Sequence, residues 1–421
     1  MRYLYTVLFY LALPFVFLRL LWRSRRAPLY RKRWAERLGF CPFRLDQCIL
    51  VHAVSMGETI AAIPLIKALQ AQYKDTPLLV TNMTPTGSAR VKAVFGDTVY
   101  NAYLPYDLPD AISRFFARVN PRMIVVMETE LWPNLFAACK KRNIPLIVTN
   151  ARLSEQSAQK YQRIAPLTRD MFSGITLLSA LGQADADRFI ALGMPSDRVK
   201  MTGSLKFDLE LPSDLVMKGE TLRQQLGNDR LVWIAASTHP GEDEIVLAAH
   251  RKISEKISRA LLILVPRHPE RFDAVATLVA DQGFKIARRS KAEPCDVSIS
   301  VYLADTMGEM MVMYSACDVA CVAGSFVSVG GHNVIEPAAL YKPVITGPIL
   351  FNFAEITDIM QKAKGMVKVE NADQLAAAVI DLFENESHRK QTGENAFSVV
   401  EKNRGALKRQ VDLIKHVFST T

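Results

Sequence analysis

The sequence predicts an α/β protein of two Rossmann-like domains facing a cleft, preceded by an apolar N-terminal helix. Three observations carry that expectation. Short apolar runs alternate with longer periodic segments throughout the body, and the alternation restarts after a polar break around Leu211 to Asn228. The 421 residues, 49% of them apolar, suffice for two separate cores. No short-period repeat or low-complexity segment interrupts the pattern.

The chain opens on an apolar run from Tyr3 to Trp22, interrupted by Pro14 and Arg19 and close to the length a helix needs to cross a hydrocarbon core. No small-x-small cleavage site follows it, which argues against a removed signal peptide. A basic cluster follows instead. Of the formal net charge of +10, eight positive charges (Arg2, Arg19, Arg23, Arg25, Arg26, Arg31, Lys32 and Arg33) precede the first acidic residue, Glu36, leaving +2 for the rest. A nearly neutral body with one basic patch excludes a spread-out nucleic-acid surface and points to the cytoplasmic membrane surface as partner. Residues 1–35 therefore read as a membrane anchor and its basic flank, either spanning or lying in the interface, and Arg19 speaks for the second arrangement. As a core helix the segment would leave the basic cluster without a purpose.

In residues 36–212, strands are expected at Cys48 to Val54, Leu78 to Asn82, Met123 to Met127, Leu146 to Asn150 and Ile175 to Leu181, with helices at Glu58 to Gln72 and Leu131 to Lys140. In residues 213–421, strands are expected at Leu231 to Ala236, Ala260 to Val265, Val297 to Tyr302, Val319 to Ala323 and Pro343 to Thr346, and a helical tail from Ala372 to Phe418. Parallel sheets of this kind bind ligands beyond the C-terminal ends of their strands. The six cysteines show no Cys-x-x-Cys pair and read as reduced thiols.

The unusual polar residues collect at those strand ends. From Gly324 to Glu336 an apolar strand turns through glycines into a helix expected to open near Asn333, a geometry that can hold a phosphate on unpaired N–H groups and a sugar hydroxyl on Glu336. The alternative is a tight turn in which Asn333 only caps the helix. Glu58 falls in the first turn of a helix, where it serves either the dipole or as a base for an acceptor hydroxyl. Glu128 ends a buried apolar strand, so its carboxylate must be paired, solvated or employed. Lys206 is its candidate partner, or simply a solvated loop lysine. Arg267, directly after an apolar strand, can clamp phosphate or carboxylate or form an ordinary ion pair.

Together these segments resemble the 3-deoxy-D-manno-octulosonic acid (Kdo) transferases of lipopolysaccharide assembly, glycosyltransferases of the two-Rossmann-domain B fold. The resemblance covers nearly the whole chain. It rests on Ser55-Met56-Gly57-Glu58, Pro105-Tyr106-Asp107, Glu128-Thr129-Glu130-Leu131-Trp132-Pro133-Asn134, Asn150-Ala151-Arg152-Leu153-Ser154, Lys206-Phe207-Asp208, Ala236-Ser237-Thr238-His239, Pro266-Arg267-His268-Pro269-Glu270-Arg271-Phe272, Met307-Gly308-Glu309 and Gly330-Gly331-His332-Asn333-Val334-Ile335-Glu336-Pro337. Met56, Ser204 and Met310 depart conservatively from the family pattern, and none is a proposed catalytic group.

The resemblance implies inverting transfer of Kdo from CMP-Kdo to a lipid A precursor, lipid IVA, at the cytoplasmic side of the inner membrane. It implies Glu58 as proton acceptor, with Glu128 and Lys206 supporting the transition state. Pro266, Arg267, Met307, Gly308, Glu309, Asn333, Val334, Ile335 and Glu336 match the positions that hold CMP. Neither a metal nor a cofactor is expected. The rivals are another nucleotide-sugar enzyme on this architecture, such as a 2-epimerase, and a membrane-tethered nucleotide-sugar sensor in which Glu58 only caps its helix.

Overall fold

The structure, a computed structural model, describes residues 1–25 and 27–420. Arg26 of the basic cluster lies outside the described residues. The chain forms two compact units, Met1–Asp208 with Arg404–Thr421, and Leu209–Asn403.

In the first unit, β1 (Cys48–His52), β2 (Leu78–Asn82), β3 (Tyr100–Tyr103), β4 (Pro121–Met127), β5 (Leu146–Ala151), β6 (Leu177–Ala180) and β7 (Val199–Met201) form one parallel sheet in the order β3-β2-β1-β4-β5-β6-β7. The central strands are apolar along their length because both faces are covered. Cys48 and Leu50 enter one core cluster while Ile49 and Val51 enter the other, all fully buried. In the second unit, β8 (Val232–Thr238), β9 (Leu261–Pro266), β10 (Ile286–Arg288), β11 (Val301–Leu303), β12 (Val319–Val322), β13 (Val344–Thr346) and β14 (Met366–Lys368) form another parallel sheet, ordered β10-β11-β9-β8-β12-β13-β14. Winding direction reverses between β1 and β4 in the first sheet and between β8 and β12 in the second. Glu58, Glu128, His239 and Gly324 follow those four strands, so Glu58, Glu128 and the start of the Gly324–Glu336 turn stand at the topological switch points, while Lys206, Arg267 and Met307–Glu309 follow β7, β9 and β11.

The C-terminus departs from expectation. The tail is helical throughout (Ala372–Glu384, Glu386–Asn403, Ala406–Ser419), but its last helix belongs to the first unit rather than to a 213–421 domain. Two contacts account for this. The Asp208 carboxylate accepts the N–H groups of Gly405 and Leu407 at the helix start, and Ile414, Val417 and Phe418 join the core around Ile49 and Val51.

The N-terminal helix spans Arg2–Ser24 and contains an apolar window that is only 6% buried, so it is not a core helix. One face packs on the first unit. Phe9, Leu13, Val16 and Phe17 lie with Leu20 against Tyr106, Leu108, Ala111 and Trp34, the side chains of Thr6 and Asn134 hydrogen-bond, and the Tyr10 hydroxyl donates to Asp110. The opposite face exposes Leu4, Val7, Leu8, Leu11, Phe15, Leu18 and Trp22. All six cysteines are free thiols.

Candidate active site

In the first unit, β1 runs out at His52 and the chain enters helix Met56–Gln72 through a capping box. The Ser55 hydroxyl accepts the Glu58 N–H at 3.3 Å and donates to Glu58 Oε1 at 2.9 Å, while Glu58 Oε2 accepts the Val54 N–H at 2.8 Å. Burial pushes the Glu58 carboxyl above the usual carboxylate range. The bonds from Val54 and Ser55 oppose that rise and the like charge of Glu128 adds to it. Helix Pro85–Phe95 starts close by, capped by Thr84. A Cβ at Gly87 would come within 3.3 Å of the Ser55 backbone, so glycine there lets the two helix starts approach.

Glu128 follows β4 in the left-handed region at φ +57, an unusual conformation for a non-glycine residue, fixed by its N–H bond to the Thr149 carbonyl at 2.8 Å. That turn re-aims the chain, and Glu128 and Glu130 both end up near Glu58. Burial first, then the charges of Glu58 and Glu128, push Glu130 up to about 7. Sequence reasoning gave Glu130 no role, although its Glu-x-Glu spacing with Glu128 was the available signal. Lys206 lies in the turn Leu205–Phe207, which packs against helix Met56–Gln72. Asn150, at φ +53, accepts the Leu205 N–H at 3.2 Å and so holds that turn.

In the second unit, Arg267 follows β9, its N–H bonded to the Thr238 carbonyl at 3.0 Å and its side chain exposed. Its positive charge reaches both His332 and Glu336. Burial raises the Glu336 carboxyl, against the opposing effects of Asn333 and Arg267. The helix expected at Asn333 is a single turn, Ile335–Ala338, so its dipole is smaller than a long helix would supply. Asn333 caps it: Oδ1 accepts the Ile335 N–H and Nδ2 donates to Glu336 Oε1, both at 3.1 Å. Val334 and Ile335 are fully buried, side chain and backbone alike, so a ligand does not touch them in this conformation. Gly308, at φ +84, has open space around it, Met307 is exposed, and Glu309 pairs with Arg289 at 2.8 Å. Helix Met310–Ala316 begins directly after Glu309 and packs against the Ile335–Ala338 turn, so the two predicted donor segments are brought together.

Two features of this unit escaped the sequence reading. Glu242, fully buried, accepts N–H bonds from His239, Gly324, Ser325 and Phe326 at 2.8 to 3.0 Å, so an internal carboxylate fills the N–H cradle at the first glycine of the turn. Its signal was the acidic run 242–244 at a helix start. His239 and His332 stack with ring centroids 5.1 Å apart and share a bond between their Nε2 atoms at 2.9 Å. Burial lowers both imidazoles, His332 to about 4, so the pair is neutral near pH 7 and one ring donates to the other. With seven histidines in 421 residues and His239 and His332 far apart in the chain, the sequence gave no hint of the pairing.

Comparison with known proteins places this arrangement. The profile of the family described as 3-deoxy-D-manno-octulosonic-acid transferase (kdotransferase) matches residues 32–209, and that of glycosyl transferases group 1 matches residues 229–399. The 3-deoxy-D-manno-octulosonic acid transferase of Haemophilus influenzae is 44% identical over 98% of both chains. The enzyme of that name from Bordetella pertussis is 36% identical over 94% of this chain and 95% of its own. The chain belongs to the Kdo transferase family. It is thus a glycosyltransferase, and its two parallel sheets carry the B fold. The same fold is seen in the UDP-GlcNAc 2-epimerase of Neisseria meningitidis bound to UDP-GlcNAc, with a TM-score of 0.58 over 88% of this chain and all of that one, at 15% identity.

Proposed function

We propose that this Kdo transferase moves Kdo from CMP-Kdo to a sugar hydroxyl of lipid IVA with inversion at the anomeric carbon, on the cytoplasmic face of the inner membrane. Glu58 takes the proton of the acceptor hydroxyl as that oxygen forms its bond to the anomeric carbon. The bond from that carbon to the CMP phosphate breaks at the opposite face, and CMP departs with the electron pair. One displacement with one base gives inversion. Glu128 positions the base and tunes it by like charge, and Lys206 meets negative charge on the reacting groups. Pro266, Arg267, Met307, Gly308, Glu309 and Asn333 to Glu336 hold the donor. The guanidinium of Arg267 faces the phosphate, and Glu336, released from Asn333, accepts the ribose hydroxyls. The family supports Kdo as the transferred sugar. The N-terminal helix lies in the membrane interface, its exposed apolar face in lipid and its other face on the first unit.

The observation that carries this reading is Glu58, a carboxylate at a switch-point strand end whose burial raises its basicity. The test is mass analysis of products formed from CMP-Kdo and tetraacylated lipid IVA. Wild type should add Kdo to the lipid and release CMP, and Glu58→Ala should add none in the same time. A wild type that binds CMP but never extends the lipid would favour a sensor, and a Glu58→Ala enzyme at the wild-type rate would remove the base assignment.

A further inference from the structure

A cavity of about 460 Å³ lies along the β3 edge of the first sheet. Its walls are amphiphilic. Leu29, Phe43 and Tyr100 supply apolar surface, Phe43 and Tyr100 meeting with ring centroids 5.0 Å apart, while Lys32 and Lys92 stand among its lining residues. Among the described residues neither lysine pairs with a carboxylate, and Asp97 is the acidic residue of the lining. Arg33, also in the lining, is already occupied. It forms a two-pronged ion pair with Glu36 at 2.6 and 2.7 Å and bonds Ser88 and Asn101. Two uncommitted ammonium groups over an aromatic and aliphatic wall fit an anion attached to something apolar.

We propose that this cavity binds the phosphate-bearing headgroup of an anionic bilayer phospholipid. Its position favours that occupant over the acceptor. Leu29 and Lys32 come directly after the lipid-facing helix Arg2–Ser24, and the 3₁₀ turn Pro28–Arg31 packs on that helix. The lining runs the length of helix Pro85–Phe95 and of β3, from Pro85 and Tyr103 to Gly96, Asp97 and Val99 at the far end, and neither Glu58 nor Glu128 is part of it. The phosphate sits between Lys32 and Lys92, and the glycerol and first acyl carbons lie on Phe43, Tyr100 and Leu29. This proposal rests on the interfacial placement of the N-terminal helix, but its test needs no transferase activity.

The full-length protein is titrated with dihexanoyl phosphatidylglycerol and, separately, with phosphatidylcholine vesicles containing or lacking phosphatidylglycerol. Lys32→Gln/Lys92→Gln should lose about thirtyfold in preference for the anionic vesicles, from two lysines near the surface, and keep its binding to neutral ones. Ala89→Trp fills the cavity without changing net charge. It should abolish saturable binding of the short-chain lipid. Wild-type affinity of Ala89→Trp for that lipid would overturn the site, because diffuse surface charge would then explain the binding. A drop in kcat of these variants in detergent free of phospholipid would equally overturn it, by assigning the cavity to the acceptor.

Discussion

Glu58 shows how one side chain serves folding and chemistry at once. Its oxygens close a capping box, so Glu58→Ala loses a helix cap worth about 1 kcal/mol as well as the proposed base. The two roles separate in kinetics: kcat should fall about 10²- to 10⁴-fold, the range for loss of a general base, while KM for CMP-Kdo stays within about twofold. The pH profile gives a second handle. The base works deprotonated and burial raises its pKa, so the acid limb of kcat should lie above the ordinary carboxylate value. Glu128→Gln removes the like charge that helps to raise Glu58, so the limb should move to lower pH. A limb that stays put or climbs in this variant would break the link between the two carboxylates. Glu130 makes a stability prediction of opposite character. Its pKa rises on folding from 4.5 to about 7, so the folded state binds the proton more tightly and stability falls as pH rises through that window. Glu130→Gln should therefore raise the melting temperature relative to wild type at pH 8 and leave it nearly unchanged at pH 4.

At the level of elements, legibility followed burial. The ten strands expected from sequence all exist, though the expected Val297 to Tyr302 strand is only Val301–Leu303, because Val297 and Ser298 are exposed and Ile299 and Ser300 only half-buried. The four strands that went unread, β3, β7, β10 and β14, are the edge strands of the two sheets. An edge strand has one neighbour and one poorly covered face. Val199–Met201 is half-buried to exposed, and Tyr100–Tyr103 starts exposed, so neither carries an apolar run. The site was read to the same depth. The candidates Glu58, Glu128 and Arg267 follow strand ends and Glu336 lies in the short helix Ile335–Ala338, so all four were visible in the sequence, but the partners of the glycine turn were not, because Glu242 is 82 residues from Gly324. That carboxylate holds the turn from inside. Glu242→Ala should strand four N–H groups, lower unfolding stability by about 2 to 4 kcal/mol and raise KM for CMP-Kdo with little change in kcat. Urea unfolding and donor titration check it. An unchanged KM would mean that the turn keeps its shape without Glu242 or does not touch the donor.

For the whole molecule, the decisive question is what the first helix does with two incompatible partners. At 23 residues it is about 34 Å long, enough to cross a hydrocarbon core. A crossing helix, however, leaves the body, and this one is fastened to the body from end to end: Thr6 to Asn134, Tyr10 to Asp110, Phe17 to Tyr106, and Leu20 in a shared apolar cluster. Crossing would expose that cluster, break the Thr6–Asn134 bond and carry the Tyr10 hydroxyl into hydrocarbon without its bond to Asp110, at roughly 1–3 kcal/mol for a polar group left unpaired. Lying flat keeps every contact and still buries Leu4, Val7, Leu8, Leu11, Phe15, Leu18 and Trp22 in lipid, with Arg19 reaching the headgroups. The two arrangements differ in where the first residues emerge. In spheroplasts, a cysteine placed at Arg2 should stay unlabelled by an impermeant maleimide and become labelled once the membrane is opened. Labelling before opening would show a crossing helix. Asn134→Leu supplies the counterpart, because loosening the helix from the body should raise the fraction that crosses and is labelled from outside.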